Sequence, residues 1–163
     1  MNLQTRNELD QYLQDILQST VFDMDISIDY TNRSITASYE PFDFDDDVAP
    51  APTFSKIMLN YITNSEHTAE EICTLALVDF RVISRAQAKP SYKPSKTIVL
   101  ALGMALKLTE PLMEAFLQSA AYEFTYTTRR DLVLRFFIER QLYDITLING
   151  YLTYYKELIL GSV

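Results

Sequence analysis

Six basic side chains, Arg81, Arg85, Lys89, Lys93, Lys96 and Lys107, lie between Phe80 and Thr109 with no acid among them. Arg81, Arg85 and Lys89 recur at every fourth residue. A helix over 80–88 therefore carries them on one face and turns Val82, Ile83 and Ala86 inward. A cationic stripe followed by basic loop residues is what contact with a phosphate backbone requires. Each ammonium or guanidinium neutralises a backbone charge, and donors on the helix face can reach base edges. On charge alone, the stripe reads equally well as a solvated face that keeps the domain soluble.

The remaining reactive side chains are sparse. His67 is the only histidine and Cys73 the only cysteine, so one chain cannot assemble a His/Cys metal cluster. Cys73 falls on an inward helix face with no base assigned to it, and His67 adjoins a helix start at Thr68. Asp43-Phe-Asp-Asp-Asp47 offers carboxylates for a hard cation. It lacks the glycine and distal glutamate of a calcium loop and reads first as a solvated acidic linker. No glycine-rich phosphate loop, nucleophile elbow or zinc-protease motif is present. The expectation is a non-enzymatic protein with no metal and no cofactor.

These side chains sit in a chain of 163 residues, 48% hydrophobic and 22% charged, the balance of an ordinary globular protein. A single cysteine closes no internal disulfide and no signal peptide precedes the chain, so a reducing cytoplasm is expected. The longest apolar run, Ile98 to Leu106, is too short to cross a bilayer and reads as a buried helix. The net charge of −8 is unevenly divided. Residues 1–53 carry eleven acids against Arg6 and Arg33, whereas residues 54–163 carry twelve bases and eleven acids. Such asymmetry points to two modules with different partners, or to two modules that face each other.

The element pattern predicts an α+β fold that is mainly α. Residues 2–19 form a helix with Leu9, Tyr12, Leu13, Ile16 and Leu17 on one face. From Phe22 to Tyr30, and again from Ile35 to Tyr39, apolar and polar residues alternate about a turn at 31–34. That period of two predicts a β-hairpin needing a cover for its apolar side. The acidic helix-plus-hairpin module occupies 1–40, and a Pro/Asp-rich linker occupies 41–52. An all-helical domain then fills 53–163. Its helices are read at 54–64, from Thr68 to about Leu77 behind a Thr68/Glu71 capping box, and at 80–88. Further helices follow at 96–106 behind Ser95, from Thr109-Glu110-Pro111 onward, and at about 129–141 and 144–155.

A short helix, a turn at Val78-Asp79, a short basic helix and a longer helix reproduce the helix-turn-helix order. The residues also resemble a known group. Glu71-Ile-Cys, Val78 to Arg85, Tyr92 to Lys96 and Val99 to Thr109 resemble the Cro/phage-repressor (XRE-type) helix-turn-helix domains of low-GC Gram-positive bacteria and their phages. Leu117 to Tyr122, Asp131 to Ile138 and Tyr143 to Asn149 are similar to the C-terminal extension of that group. The resemblance covers 53–163, about two-thirds of the chain. It implies that Phe80–Ala88 is a recognition helix whose Arg81, Ser84 and Arg85 point at DNA, with Lys93 and Lys96 meeting phosphate. With Lys89 these make up the expected duplex-DNA site.

A second reading belongs to another class. In overall architecture the chain also resembles small acidic anti-CRISPR proteins. Asp23, Asp25 and Asp29, spaced like phosphates along one hairpin face and continued by Asp43, Asp45, Asp46 and Asp47, would then mimic nucleic acid. The partner would be a nucleic-acid-binding effector protein. No membrane partner is expected. The apolar C-terminal helix, with Ile145, Ile148, Tyr151, Leu152, Tyr154 and Tyr155, reads first as core packing. A homodimer face is the alternative.

Overall fold

A computed structural model describes residues 2–23 and 50–161. Among them are eight helices: α1 (Leu3–Asp23), α2 (Phe54–Thr63), α3 (Ala69–Leu75), α4 (Arg81–Ala88), α5 (Lys96–Ala105), α6 (Glu110–Ser119), α7 (Arg129–Glu139) and α8 (Ile145–Tyr154). The described residues contain no strand, which corrects the expected α+β class. Phe22 and Asp23, the first residues of the expected hairpin, form the end of α1. Residues 24–40, the rest of that hairpin, lie outside the described residues, as does linker 41–49. Extending an existing helix adds one hydrogen bond per residue fixed, whereas a lone two-stranded hairpin is marginal in water. The apolar face of α1 is also occupied elsewhere, because Leu9 and Leu13 are buried in the common core beside α7.

Side chains cap several helix starts, although Ser95, expected to cap α5, makes no side-chain capping bond. Thr53 caps α2 by accepting from Lys56 N at 3.4 Å. Thr68 and Glu71 close a reciprocal capping box at α3, with 3.2 and 2.8 Å bonds. Asp144 caps α8 by accepting from Leu147 N at 3.1 Å. Pro111 stands in the first turn of α6, where its missing N–H is not needed.

The helix ends share one device. Leu77, Lys107, Ala121, Gln141 and Lys156 have positive φ between 53° and 60°. In each case the next residue donates its N–H back across the helix end. Val78 bonds Cys73, Leu108 bonds Gly103, Tyr122 bonds Leu117, Leu142 bonds Phe137 and Glu157 bonds Leu152, all at 2.9–3.0 Å. These are Schellman closures built without glycine at the left-handed position. Val78 and Leu108 are buried at these closures and Tyr122 packs part-buried against the core, whereas Leu142 is exposed. The packing of the first three offsets the left-handed strain. The same closure makes the tight turns of three successive pairs, α3–α4, α5–α6 and α7–α8.

The core runs continuously through the described residues. It includes Phe54, Met58, Ile72, Ile83, Leu100, Leu102, Phe116, Phe136, Phe137, Ile148 and Tyr151. Gly103 lets α5 approach α6 closely, since a Cβ there would stand 2.5 Å from Met113 Sδ. One large side chain in this core is charged. Arg135 of α7 has no exposed surface. It pairs with Glu110 and, at 2.9 Å, with Glu114 of α6. It also donates to the carbonyls of Phe124 (2.5 Å) and Thr125 (3.4 Å). The rings of Phe124 and Tyr126 flank its guanidinium at 4.1 and 3.7 Å. Burial lowers its pKa, and these partners compensate the desolvated charge.

Tyrosine hydroxyls dock α1. Tyr12 donates to Glu139 (2.9 Å), Tyr151 to the Asn2 carbonyl (3.2 Å) and Tyr155 to Asp10 (2.5 Å). Burial, followed by the acceptor carboxylates, raises the pKa of Tyr12 and of Tyr155, so both stay protonated donors. The buried apolar face of α8 is thus satisfied within the chain.

Two outcomes follow for stability. Lys107→Gly removes left-handed strain at an exposed position at the expense of a more flexible unfolded chain. It should stabilise the protein by about 0.5–1 kcal/mol, read from the urea midpoint. Arg135→Ala strands Glu110, Glu114 and two carbonyls, and should cost about 3 kcal/mol in the same measurement.

Candidate nucleic-acid interface

Helix α4 is short, and its two faces are sharply distinguished. Val82, Ile83 and Ala86 are buried against α2, while Arg81, Ser84, Arg85, Gln87 and Ala88 are exposed. Lys89, Lys93 and the intervening Pro90 and Ser91 continue the exposed surface beyond the helix. The loop is held from beneath. The buried Ser55 hydroxyl of α2 lies 3.4 Å from the Lys89 carbonyl and 3.3 Å from that of Tyr92. Tyr122 donates to the Pro94 carbonyl at 3.0 Å. Lys89 N donates to Arg85 O and Tyr92 N to Lys89 O, both at 2.9 Å, so the chain leaves α4 through ordered backbone bonds.

The expected DNA-contacting residues separate into three groups. Arg85, Lys89 and Lys93 are exposed and form no ion pair with an acid among the described residues. Ser84 shares their face. Arg81 is exposed but clasped by Asp79, donating from Nε at 3.1 Å and from NH2 at 3.0 Å. Asp79 also accepts from the Arg81 backbone N at 2.8 Å, so it both caps the start of α4 and neutralises the first charge of the stripe. Hydrogen bonds from Arg81 hold the Asp79 carboxyl below the usual carboxylate range.

Lys96 belongs to the scaffold. Its ammonium lies 2.8 Å from Asp131 Oδ2, and Asp131 has no exposed surface. The same oxygen accepts from Thr125 N at 2.9 Å and Thr125 Oγ1 at 3.2 Å, while Oδ1 has no protein donor. Lys96 thus neutralises a carboxylate buried at the α5–α7 junction. The spacing of basic residues could not reveal this, because the partner lies 35 positions away in sequence.

The structure adds Lys56 to the cationic surface. It is exposed on the first turn of α2, one residue after Ser55, whose hydroxyl reaches the Lys89–Tyr92 loop. Its nearest sequence signal was only a lone lysine behind the Thr53 cap. Of the acidic positions, Asp23 ends α1, and Asp25, Asp29, Asp43, Asp45, Asp46 and Asp47 lie outside the described residues.

Other candidates are accounted for locally. Cys73 is buried, and that burial raises its thiol pKa. His67 stands 3.7 Å from Glu71 beside the α3 cap. A groove of about 710 Å³ runs between the end of α3, the end of α5 and the α7–α8 turn, where Leu75, Leu77, Met104, Leu142 and Leu147 form apolar parts of its wall. Among the described residues, no three His, Cys, Asp or Glu side chains gather to hold a metal, and no helix is long and apolar enough to cross a membrane.

No family model matches the chain, and no curated protein or solved structure is significantly similar to it.

The partition of the lysines has a direct consequence. Lys96→Ala leaves Asp131 buried without its cation and should cost about 3 kcal/mol in urea unfolding. Lys93→Ala, at an exposed site, should stay within about 0.5 kcal/mol of the parent protein.

Proposed function

We propose that the protein is a helix-turn-helix DNA-binding regulator that lays α4 against duplex DNA. The observation that carries this reading is the exposed face formed by Ser84, Arg85, Lys89 and Lys93, whose cations form no ion pair among the described residues, on a helix anchored by its opposite side. A helix of this length fits the major groove, and cations just past its end can meet the phosphates that border the groove. Lys56 extends that phosphate track onto α2. The likeness of residues 53–163 to XRE-type domains, stated from sequence, supports the same role. Arg85 is the side chain best placed for base edges. Lys89, Lys93 and Lys56 supply sequence-independent affinity.

Arg81 has a conditional role. In the free protein its guanidinium is satisfied by Asp79. It contributes to duplex affinity only to the extent that a phosphate or a base edge displaces that carboxylate. The net gain from Arg81 is therefore smaller than that from Arg85.

Fluorescence anisotropy on a mixed-sequence duplex of roughly two helical turns tests the proposal over a salt series. Association should weaken linearly in log–log form as salt rises, with each phosphate contact contributing about −0.9 to the slope. The pair Arg85→Glu and Lys89→Glu should lower affinity at least tenfold and flatten the slope by about two. Unchanged affinity and slope in that variant would overturn the assignment.

A further inference from the structure

The chain comes back, near its C-terminus, to the turn that precedes α4. Gly161 has φ +90°, a conformation that side-chain-bearing residues rarely adopt. A Cβ at this position would stand 2.7 Å from the Leu77 carbonyl oxygen, 2.9 Å from that of Ala76 and 3.1 Å from the Leu77 Cβ. Only a glycine backbone fits against these two carbonyls without displacing them. The approach is fixed from the other side by Leu160, which is buried, and by Asn149 on α8. Asn149 grips Leu160 twice. Its Oδ1 accepts from Leu160 N at 2.7 Å, and its Nδ2 donates to the Leu160 carbonyl at 3.1 Å. Ile148 and Leu152, on either side of Asn149 along α8, are themselves buried, so the grip originates on a helix seated in the core.

The α3–α4 turn has reason to need such support. Leu77 is a non-glycine residue in the left-handed region at φ 53°, held there by its surroundings. Phe80, at the head of α4, makes no capping bond with its side chain, so the helix start is capped by Asp79, itself a residue of this turn. Helix α4 seats on α2, whereas α3 seats on α5 and α2, so the two helices on either side of the turn rest on largely different supports. Any slack at Ala76–Phe80 would let α4 swing about its apolar face and change where Arg85 and Lys89 point.

We infer that Asn149, Leu160 and Gly161 form a clasp that locks the α3–α4 turn and thereby sets the bearing of the basic face of α4. Gly161 and Asn149 are positioning residues: they lie outside the cationic surface and act on it through the carbonyls of Ala76 and Leu77. The clasp makes the C-terminal helical extension part of the interface geometry. Its relevance to DNA rests on the function proposed above, whereas its mechanical role does not.

The test uses the full chain carrying Gly161→Ala or Asn149→Ala. Amide hydrogen exchange is followed in two segments, 78–86 around the turn and α4, and 132–138 in the centre of α7. The expected result is exchange at least tenfold faster in 78–86 with 132–138 unchanged, together with a several-fold loss of duplex affinity at an unaltered salt slope. The slope stays because the same cations meet the same number of phosphates. Wild-type exchange rates in 78–86 would overturn the clasp. So would equal acceleration of both segments, which would make Gly161 a contributor to global stability alone. Should Gly161→Ala not fold, Asn149→Ala opens the clasp without adding an atom and decides by the same readings. If the parent protein does not bind duplex, the DNA assignment fails while the exchange pattern still decides the clasp.

Discussion

A guanidinium removed from water must find compensation on every side, and the arrangement around Arg135 is organised by that demand. Its five N–H donors face two carboxylates and two carbonyls, with the Phe124 and Tyr126 rings in cation–π contact. Helices α6 and α7 and the segment between them therefore have one mutual placement in which the charge is tolerated. One turn earlier on α7, Asp131 imposes the opposite demand, and Lys96 of α5 meets it. Replacing both sets by apolar side chains of similar volume could stabilise the chain, since buried ion pairs weigh little in net free energy. What they provide is discrimination, because a shifted register would strand a charge.

From this centre the two flanks are held by different chemistry. On one side α1 closes over α7 and α8 with Leu9 and Leu13 buried and tyrosine hydroxyls bonded at Glu139, Asp10 and the Asn2 carbonyl. On the other, α5 supports α3, and α2 supports α4. The exposed cations thus stand on a part of the molecule with no buried charge of its own. It is fixed instead by apolar contacts, by Ser55 beneath the loop, and by the contact of Gly161 with the α3–α4 turn.

Much of the helical domain was legible from local signals. The Thr68/Glu71 pairing, Pro111 after Thr109 and the prolines at 90 and 94 mark helix boundaries through backbone chemistry that acts within a few residues, and the observed helices follow them closely. The inward residues of α4 were legible for the same reason. The start of the expected hairpin, Phe22 and Asp23, was misread because alternation around Phe22 resembles a strand only if the preceding helix stops. Nothing local stops α1 before Asp23. Lys96 and Lys93 look alike in sequence, yet one meets a buried carboxylate and the other water, a distinction made wholly by tertiary placement. Arg135 sits in an apolar run that reads as core. Its burial against Glu110, Glu114 and the Phe124 carbonyl depends on residues more than ten positions away and had no local signal. Asp79 was visible as a turn residue, and its hold on Arg81 follows from separation by only two positions.

The buried members of these pairs give the protein an unequal response to electrolyte. At physiological ionic strength the screening length is about 8 Å, and mobile ions act on charges they can surround. Arg135 and Asp131, with no surface, are sheltered from that atmosphere, whereas Arg85, Lys89 and Lys93 are immersed in it. Added salt therefore attenuates the outer field long before it loosens the interior. The architecture separates the charges that hold the molecule together from those it presents to its surroundings.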